Sequence, residues 1–170
     1  MRLYATKISH ISEALARALV DSSDLEVTER TEFKQDVESI LREYLRMERE
    51  VTERAKDLME ARGLPYSELY RVKRQFAEDM DFGIGEESLT WISSQLLELF
   101  MRSAFVEEIY ADDATLRKKM KEVLRRNMQV DEDLDREVQK QLRHLTKGTD
   151  AYEIEYQRQM ESIKRKFGFE

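Results

Sequence analysis

Apolar residues recur along most of the chain at intervals of three and four, the spacing that places them on one face of an α-helix. One such stripe lies in residues 8–19, and a stripe of the same spacing lies in residues 89–100, about 81 positions later. Dipeptides recur at a similar offset, since Ile11–Ser12 returns as Ile92–Ser93. The pattern therefore predicts two copies of one helical unit.

The two predicted units are residues 1–84 and 85–170, which meet at the glycines Gly83 and Gly85. We expect an all-α fold, a tandem duplication of a three-to-four-helix unit, packed as one globular pseudo-twofold bundle. Each unit should contain a short amphipathic helix, a long helical run and a closing helix. Matching stripes on the short helices place Leu15 and Leu96 in the core.

The boundaries of these helices follow from glycines, the proline and polar turn residues. The predicted helices are 6–21, 28–62 and 65–82 in the first unit, and 86–103, 112–147 and 150–167 in the second. A polar turn is expected around Ser22–Asp24, an N-cap at Asp112 or Asp113, and a second N-cap at Asp150. The extra residues of the second unit are assigned to loops at 103–112 and 144–150.

The long runs allow more than one interpretation. Residues 28–62 form either one helix of about 35 residues or two helices that meet near Met47–Arg49. A sustained apolar seam is also typical of a coiled coil. The short amphipathic helices beside each run favour packing within the chain.

The composition supports a soluble helical protein: 41% of the residues are hydrophobic and 38% are charged, with five glycines and one proline. The absence of cysteine excludes disulfides and thiolate metal sites. No stretch is long and apolar enough for a membrane span, and the N-terminus leads directly into an amphipathic helix. We therefore expect a cytoplasmic protein. Both halves are mildly acidic within a net charge of −7.

Motifs for catalysis or cofactors are missing from the sequence. His10 and His144 lack a glutamate three positions before them, so the carboxylate–histidine pair of a di-iron bundle is absent. No glycine-rich phosphate loop or nucleophile elbow occurs. The acidic residues of 131–137 lack the spacing of a calcium loop and are interpreted as solvated helix residues. We expect no catalytic residue, metal or cofactor.

The strongest charge feature is a basic cluster within the second long run. Its members are Arg117, Lys118, Lys119, Lys121, Arg125 and Arg126. They could contact RNA phosphates, anionic lipid headgroups or an acidic protein surface, or they could form a solvated face neutralised by a neighbouring helix.

Two tyrosine pairs have the same spacing in both units, Tyr66 with Tyr70 and Tyr152 with Tyr156. Residues four apart share a helix face, so each pair should lie at a helix rim with its hydroxyls in water. Because tyrosine is enriched at protein interfaces, the pairs are also candidates for a shared interaction surface.

The opening Met1-Arg2-Leu3 and the Lys7-Ile8-x-x-Ile11-Ser12 segment resemble the start of a bacterial family known as domain of unknown function 507. The closing run from Ile163 to Gly168 is also similar. The resemblance implies an all-helical bacterial cytoplasmic protein, and it transfers no active residue to any position.

Three functional hypotheses follow. The first is a non-enzymatic interaction or adaptor protein that binds a protein partner or a second copy of itself. The second is an RNA- or ribosome-associated factor that uses the basic cluster. It is the less favoured alternative, because no aromatic residue is interleaved with the basic residues. The third, an enzyme, requires two or more carboxylates that converge in a partly buried cleft.

Overall fold

The computed structural model describes residues 2–166, except for the side chains of residues 129–132, 164 and 166. Within this part, helices dominate and one small sheet is present, which confirms the predicted all-α class. The elements in chain order are α1 (Ile8–Ala16), β1 (Leu25–Val27), α2 (Arg30–Arg62), α3 (Leu69–Asp79), α4 (Glu87–Arg102), β2 (Val106–Ile109), α5 (Asp113–Gln141) and α6 (Asp150–Lys166). Phe167 and Gly168, which belong to the predicted last helix and closing run, lie outside the described residues.

The first long run is a single continuous helix, α2, so the alternative of two helices meeting near Met47–Arg49 is wrong. It ends at Gly63, whose φ of +63° lies in the left-handed region that favours glycine. The amides of Gly63 and Leu64 turn back to the carbonyls of Glu60 and Met59. These hydrogen bonds satisfy acceptors that would otherwise be orphaned at the helix end.

The two strands are a correction to the sequence analysis, which assigned the second segment to a loop and predicted no strand in the first, between the turn at Ser22–Asp24 and the helix from 28. β1 and β2 pair antiparallel, with Leu25 opposite Ile109 and Glu26 opposite Glu108, and a register shift follows Glu26. Leu25 is buried and Val27 half-buried, so the strands pack one apolar face on the helices. The strands join the two predicted units directly.

A central core takes residues from both predicted units. The short helices α1 and α4 each pack on both long helices, α2 and α5. Leu15, Leu96, Ile11 and Ile92 are buried, which confirms that the two short-helix stripes are core. The first parts of both long-helix seams are covered in this cluster and the later parts by α3 and α6, so intrachain packing accounts for the seams without a coiled coil. Phe33 of α2 stacks on Phe100 of α4, with ring centroids 5.4 Å apart.

Beyond this core, each long helix continues as an arm that packs on a closing helix. α2 packs on α3 through Ala55, Met59 and Val72. α5 packs on α6 through a larger cluster that includes Leu134, Val138, Leu142, Tyr152, Tyr156, Met160 and Ile163. The order helix, strand, long helix, closing helix thus occurs twice in the described chain, while the pseudo-twofold duplication itself stays a prediction.

Two boundaries in the second arm differ from the sequence expectation. α5 ends at Gln141, not near 147, and a loop separates it from α6. The first turn of α6 is capped by Thr149, whose hydroxyl accepts from the amide of Tyr152 at 3.3 Å, rather than by Asp150. At the start of α5, Asp112 accepts from the amide of Thr115 at 2.7 Å, which confirms one of the two N-caps proposed there.

Candidate functional site

Four of the six basic residues proposed from the sequence form one exposed surface on α5, which we name the cationic face: Lys118, Lys121, Arg125 and Arg126. Lys118, Lys121 and Arg125 are spaced i, i+3 and i+7, so they lie along one side of the helix over about 10 Å. Lys118, Arg125 and Arg126 are exposed and Lys121 is half-buried. In the described part of the chain, none of the four has a carboxylate within the 4.0 Å of an ion pair.

The other two members of the basic cluster are half-buried and bound to other elements. Arg117 donates to the hydroxyl of Ser94 in α4 at 2.8 Å. Lys119 forms an ion pair with Asp24, which precedes β1, and also reaches the hydroxyl of Ser22. The proximity of Lys119 lowers the pKa of the Asp24 carboxyl. These two cations fix α5 to its neighbours, so they are removed from the candidate surface.

Three of the exposed cations of α2 provide a contrast within the same fold. Arg42 pairs with Glu38, Arg46 with Glu43 and Glu50, and Arg54 with Glu50, all at i, i+3 or i+4 spacing. Such pairs neutralise a helix surface with little gain in stability. α5 is also long and exposed, but the four residues of its cationic face make no such ion pair among the described residues.

The proposed tyrosine surface is only half present. Tyr66 and Tyr70 are exposed at 48% and 59%. Tyr152 and Tyr156 are buried at 7% and 4%, so their assignment to a rim or an interface is corrected. Tyr152 and Tyr156 lie on α6 and pack against α5, whereas Tyr66, just before α3, and Tyr70, on α3, lie at the surface.

Tyr156 is the centre of a network that joins the N-terminus to α5 and α6. Its hydroxyl donates to the carboxylate of Asp135 and lies 2.9 Å from the hydroxyl of Tyr4. The guanidinium of Arg2 lies over the rings of Tyr4 and Tyr156, at 4.9 and 5.7 Å from their centroids. Burial, together with the hydrogen bonds to Asp135 and Tyr4, raises the pKa of Tyr156, so the phenol stays protonated.

A cleft of about 560 Å³ opens beside this network. Its walls come from the N-terminal segment, α2, α3, the link before α4, and α5. The charged lining consists of the cations Arg2, Lys73 and Arg136 and the carboxylates Glu48, Glu86 and Asp135. Gly85 forms part of the wall at φ +61°, and a Cβ at this position would lie 2.9 Å from the Tyr70 hydroxyl. The volume is in the range of small-molecule sites.

Lys73 is a half-buried cation of the cleft. Burial lowers the pKa of its ammonium, and the nearby charge of Arg2 lowers it further, while Glu48 acts in the opposite direction. No carboxylate of the described residues lies within 4.0 Å of the Lys73 or Arg2 side chain. By contrast, Asp135 is already held by Tyr156 and by the Gln139 amide.

The carboxylates of the cleft do not form a metal site. Across the residues that the structure describes, no group of three His, Cys, Asp or Glu side chains is arranged to hold a metal. His10 and His144 are both exposed. The side chains of Asp131 and Glu132, part of the acidic segment 131–137, lie outside the described residues, and Asp133 is exposed. The carboxylates Glu48, Glu86 and Asp135 do line one cleft, so the enzyme hypothesis stays a hypothesis.

The chain belongs to the family described as protein of unknown function (DUF507), which matches residues 1–169. This confirms the resemblance found in the N-terminal and C-terminal segments. A comparison with curated proteins finds no match. In the described part of the chain, no helix combines the length and apolarity needed to cross a bilayer.

The cleft was not anticipated from the sequence. Arg2, Glu48, Lys73 and Asp135 are far apart along the chain, and each looks like an ordinary residue of a polar helix surface. The only local signal is Gly85, a glycine immediately before a helix, which was interpreted as a hinge.

Proposed function

We propose that this chain is a non-enzymatic cytoplasmic interaction protein whose cationic face on α5 binds an acidic surface of a protein partner. The observation that carries the proposal is that Lys118, Lys121, Arg125 and Arg126 make no ion pair among the described residues, whereas Arg42, Arg46 and Arg54 of α2 do. Clustered like charges repel one another, and an acidic partner relieves that repulsion. Charges at the rim of an interface also accelerate association.

RNA is the alternative partner, because phosphates would satisfy the same cations. Residues 113–126 contain no aromatic side chain, so this segment offers no aromatic ring on which a base could stack. Binding to RNA would therefore rest on phosphate contacts alone and would show little sequence preference. A second copy of the chain is a further source of acidic surface, since the protein has a net charge of −7.

The test compares two triple charge reversals that change the net charge equally. One carries Lys118→Glu, Lys121→Glu and Arg125→Glu on the cationic face. Its control carries the same reversals at Arg42, Arg46 and Arg54, the paired cations of α2. Circular dichroism establishes that both variants are folded before any binding is compared.

Quantitative affinity capture from native lysate, with and without nuclease, then measures binding. We expect the wild type and the α2 variant to capture one partner protein in stoichiometric amount. The α5 variant should capture at least tenfold less of that protein. If the difference in capture disappears after nuclease treatment, and the purified chain binds RNA with an affinity that falls steeply with salt, the partner is RNA and not an acidic protein surface. Recovery of only the chain itself would indicate self-association. Equal capture by all three proteins would refute the role of the cationic face.

A further inference from the structure

The geometry points to a second binding site, independent of the cationic face: the cleft lined by Arg2 and Lys73 binds a small molecule through a carboxylate or phosphate group. Arg2 and Lys73 approach the cleft from different elements, the N-terminal segment and α3. Neither has a carboxylate within 4.0 Å among the described residues. Two cations that face one cavity without such a partner favour an anionic ligand.

Arg2 is exposed but is already in contact with two aromatic rings before any ligand arrives. Its guanidinium lies over the rings of Tyr4 and Tyr156 and donates to the Tyr156 hydroxyl at 3.5 Å. A guanidinium carries five N–H donors in a rigid plane, so this one hydrogen bond among the described residues leaves donors for an oxyanion. Preorganisation of this kind reduces the entropy lost on binding.

The carboxylates of the cleft restrict the ligand rather than exclude it. Asp135 is held by Tyr156 and Gln139, and Glu86 is exposed at the rim. Glu48 is half-buried and makes no ion pair within the described chain. It can accept a hydrogen bond from a hydroxyl or ammonium group beside the ligand's oxyanion. The class of ligand is therefore a small hydroxy or amino acid, or a phosphate monoester.

The third cation, Arg136, contributes less to this selectivity. It lies 3.8 Å from the carboxylate of Asp133, one turn earlier on α5. The oxyanion is thus assigned to the side of the cleft formed by Arg2 and Lys73. The hydroxyl of Tyr70, placed beside Gly85, lies on the same wall as the Lys73 amine because both side chains come from α3.

Protection of Lys73 from acetylation tests the site without knowledge of the natural ligand. The full chain is treated with acetic anhydride at neutral pH in chloride, inorganic phosphate, acetate or lactate at equal ionic strength, and labelling of each lysine is followed by mass spectrometry. Lys56, an exposed lysine of α2, is the internal reference. A bound anion covers the Lys73 amine and favours its charged, unreactive form.

We expect at least one oxyanion to slow acetylation of Lys73 at least threefold relative to chloride and to leave Lys56 unchanged. Protection by phosphate alone would indicate that the anionic group of the ligand is a phosphate ester. Protection by acetate or lactate would indicate a carboxylate. Arg2→Met should abolish the protection, whereas Arg74→Met, which removes an exposed cation of the same α3, should preserve it. Equal labelling of Lys73 in all four salts, or protection that survives Arg2→Met, would overturn the proposal.

Discussion

Replacing Leu96 of α4 by alanine tests whether the two predicted units share one core. Leu96 is fully buried in the cluster that joins α1, α2, α4 and α5. The substitution removes three carbon atoms, which corresponds to about 2.4 kcal/mol of lost transfer free energy at about 0.8 kcal/mol per group. The cavity left among neighbours from both units adds to this, so we expect a loss of about 3–5 kcal/mol in the free energy of unfolding. That is a large fraction of the stability of an ordinary domain.

The assay is urea unfolding followed by far-ultraviolet circular dichroism and by fluorescence of Trp91, the single tryptophan. Trp91 packs on Tyr44 of α2 and on Phe82, with centroids 5.7 and 5.1 Å away, so it reports on the contact between the units. Both signals should show one transition that moves by the same amount. Leu15→Ala, in α1, should move that same transition.

The matched control is Met101→Ala, which truncates a side chain near the end of the same helix. Met101 is 66% exposed, so its removal should change stability by less than about 0.5 kcal/mol. A loss below about 1 kcal/mol for Leu96→Ala would show that the α4 stripe is not core. Two separate transitions, of which Leu15→Ala moves only one, would show that the units fold independently.

Three further substitutions test the connections between elements. Hydrogen bonds from Lys34 and Arg30 lower the pKa of Glu13 to about 2. The ionised Glu13 carboxylate therefore stabilises the fold above its unfolded pKa, and this stabilisation is lost as pH falls toward 2. Glu13→Gln should flatten the dependence of melting temperature on pH in this range. Tyr156→Phe should cost about 1–3 kcal/mol in urea unfolding, because the Asp135 carboxylate loses a donor. Asp112→Ala should lower the melting temperature by a few degrees, because it removes the side-chain cap of α5.

Each of these variants has a control variant with a different expected result. Glu53→Gln, on the exposed face of α2, should leave the pH dependence as steep as in the wild type. Tyr66→Phe should be nearly neutral, because no side-chain hydrogen bond of this hydroxyl is present among the described residues. Asp113→Ala should cost less than Asp112→Ala, since the cap is made by Asp112. The reverse order in any pair would contradict the corresponding contact.

Much of the fold could be predicted because helix periodicity and breakers are local signals. The stripe that contains Leu15 and the stop at Gly63 are both evident without a structure. The strands were missed because three or four residues such as Leu25-Glu26-Val27 are too few to establish an alternation. Their formation depends on pairing across more than 80 residues, as between Leu25 and Ile109.

The candidate sites depend even more on tertiary contacts. The basic cluster was found from composition, but only the fold shows that Arg117 and Lys119 are tied to other elements. The burial of Tyr156 depends on contacts with Tyr4, more than 150 residues away. Sequence reasoning treated the tyrosine pairs as equivalent, and only the tertiary packing separates them.

The most direct test of the cationic face is a photo-crosslinking amino acid placed at Glu122 in living cells. Glu122 is exposed between Lys118 and Arg125 on α5, and the same reagent at Glu53 on the exposed side of α2 is the control. We expect irradiation to yield a discrete crosslinked protein from position 122 that is absent from position 53. No crosslink at 122, or the same products from both positions, would contradict the assignment of this face as the binding surface.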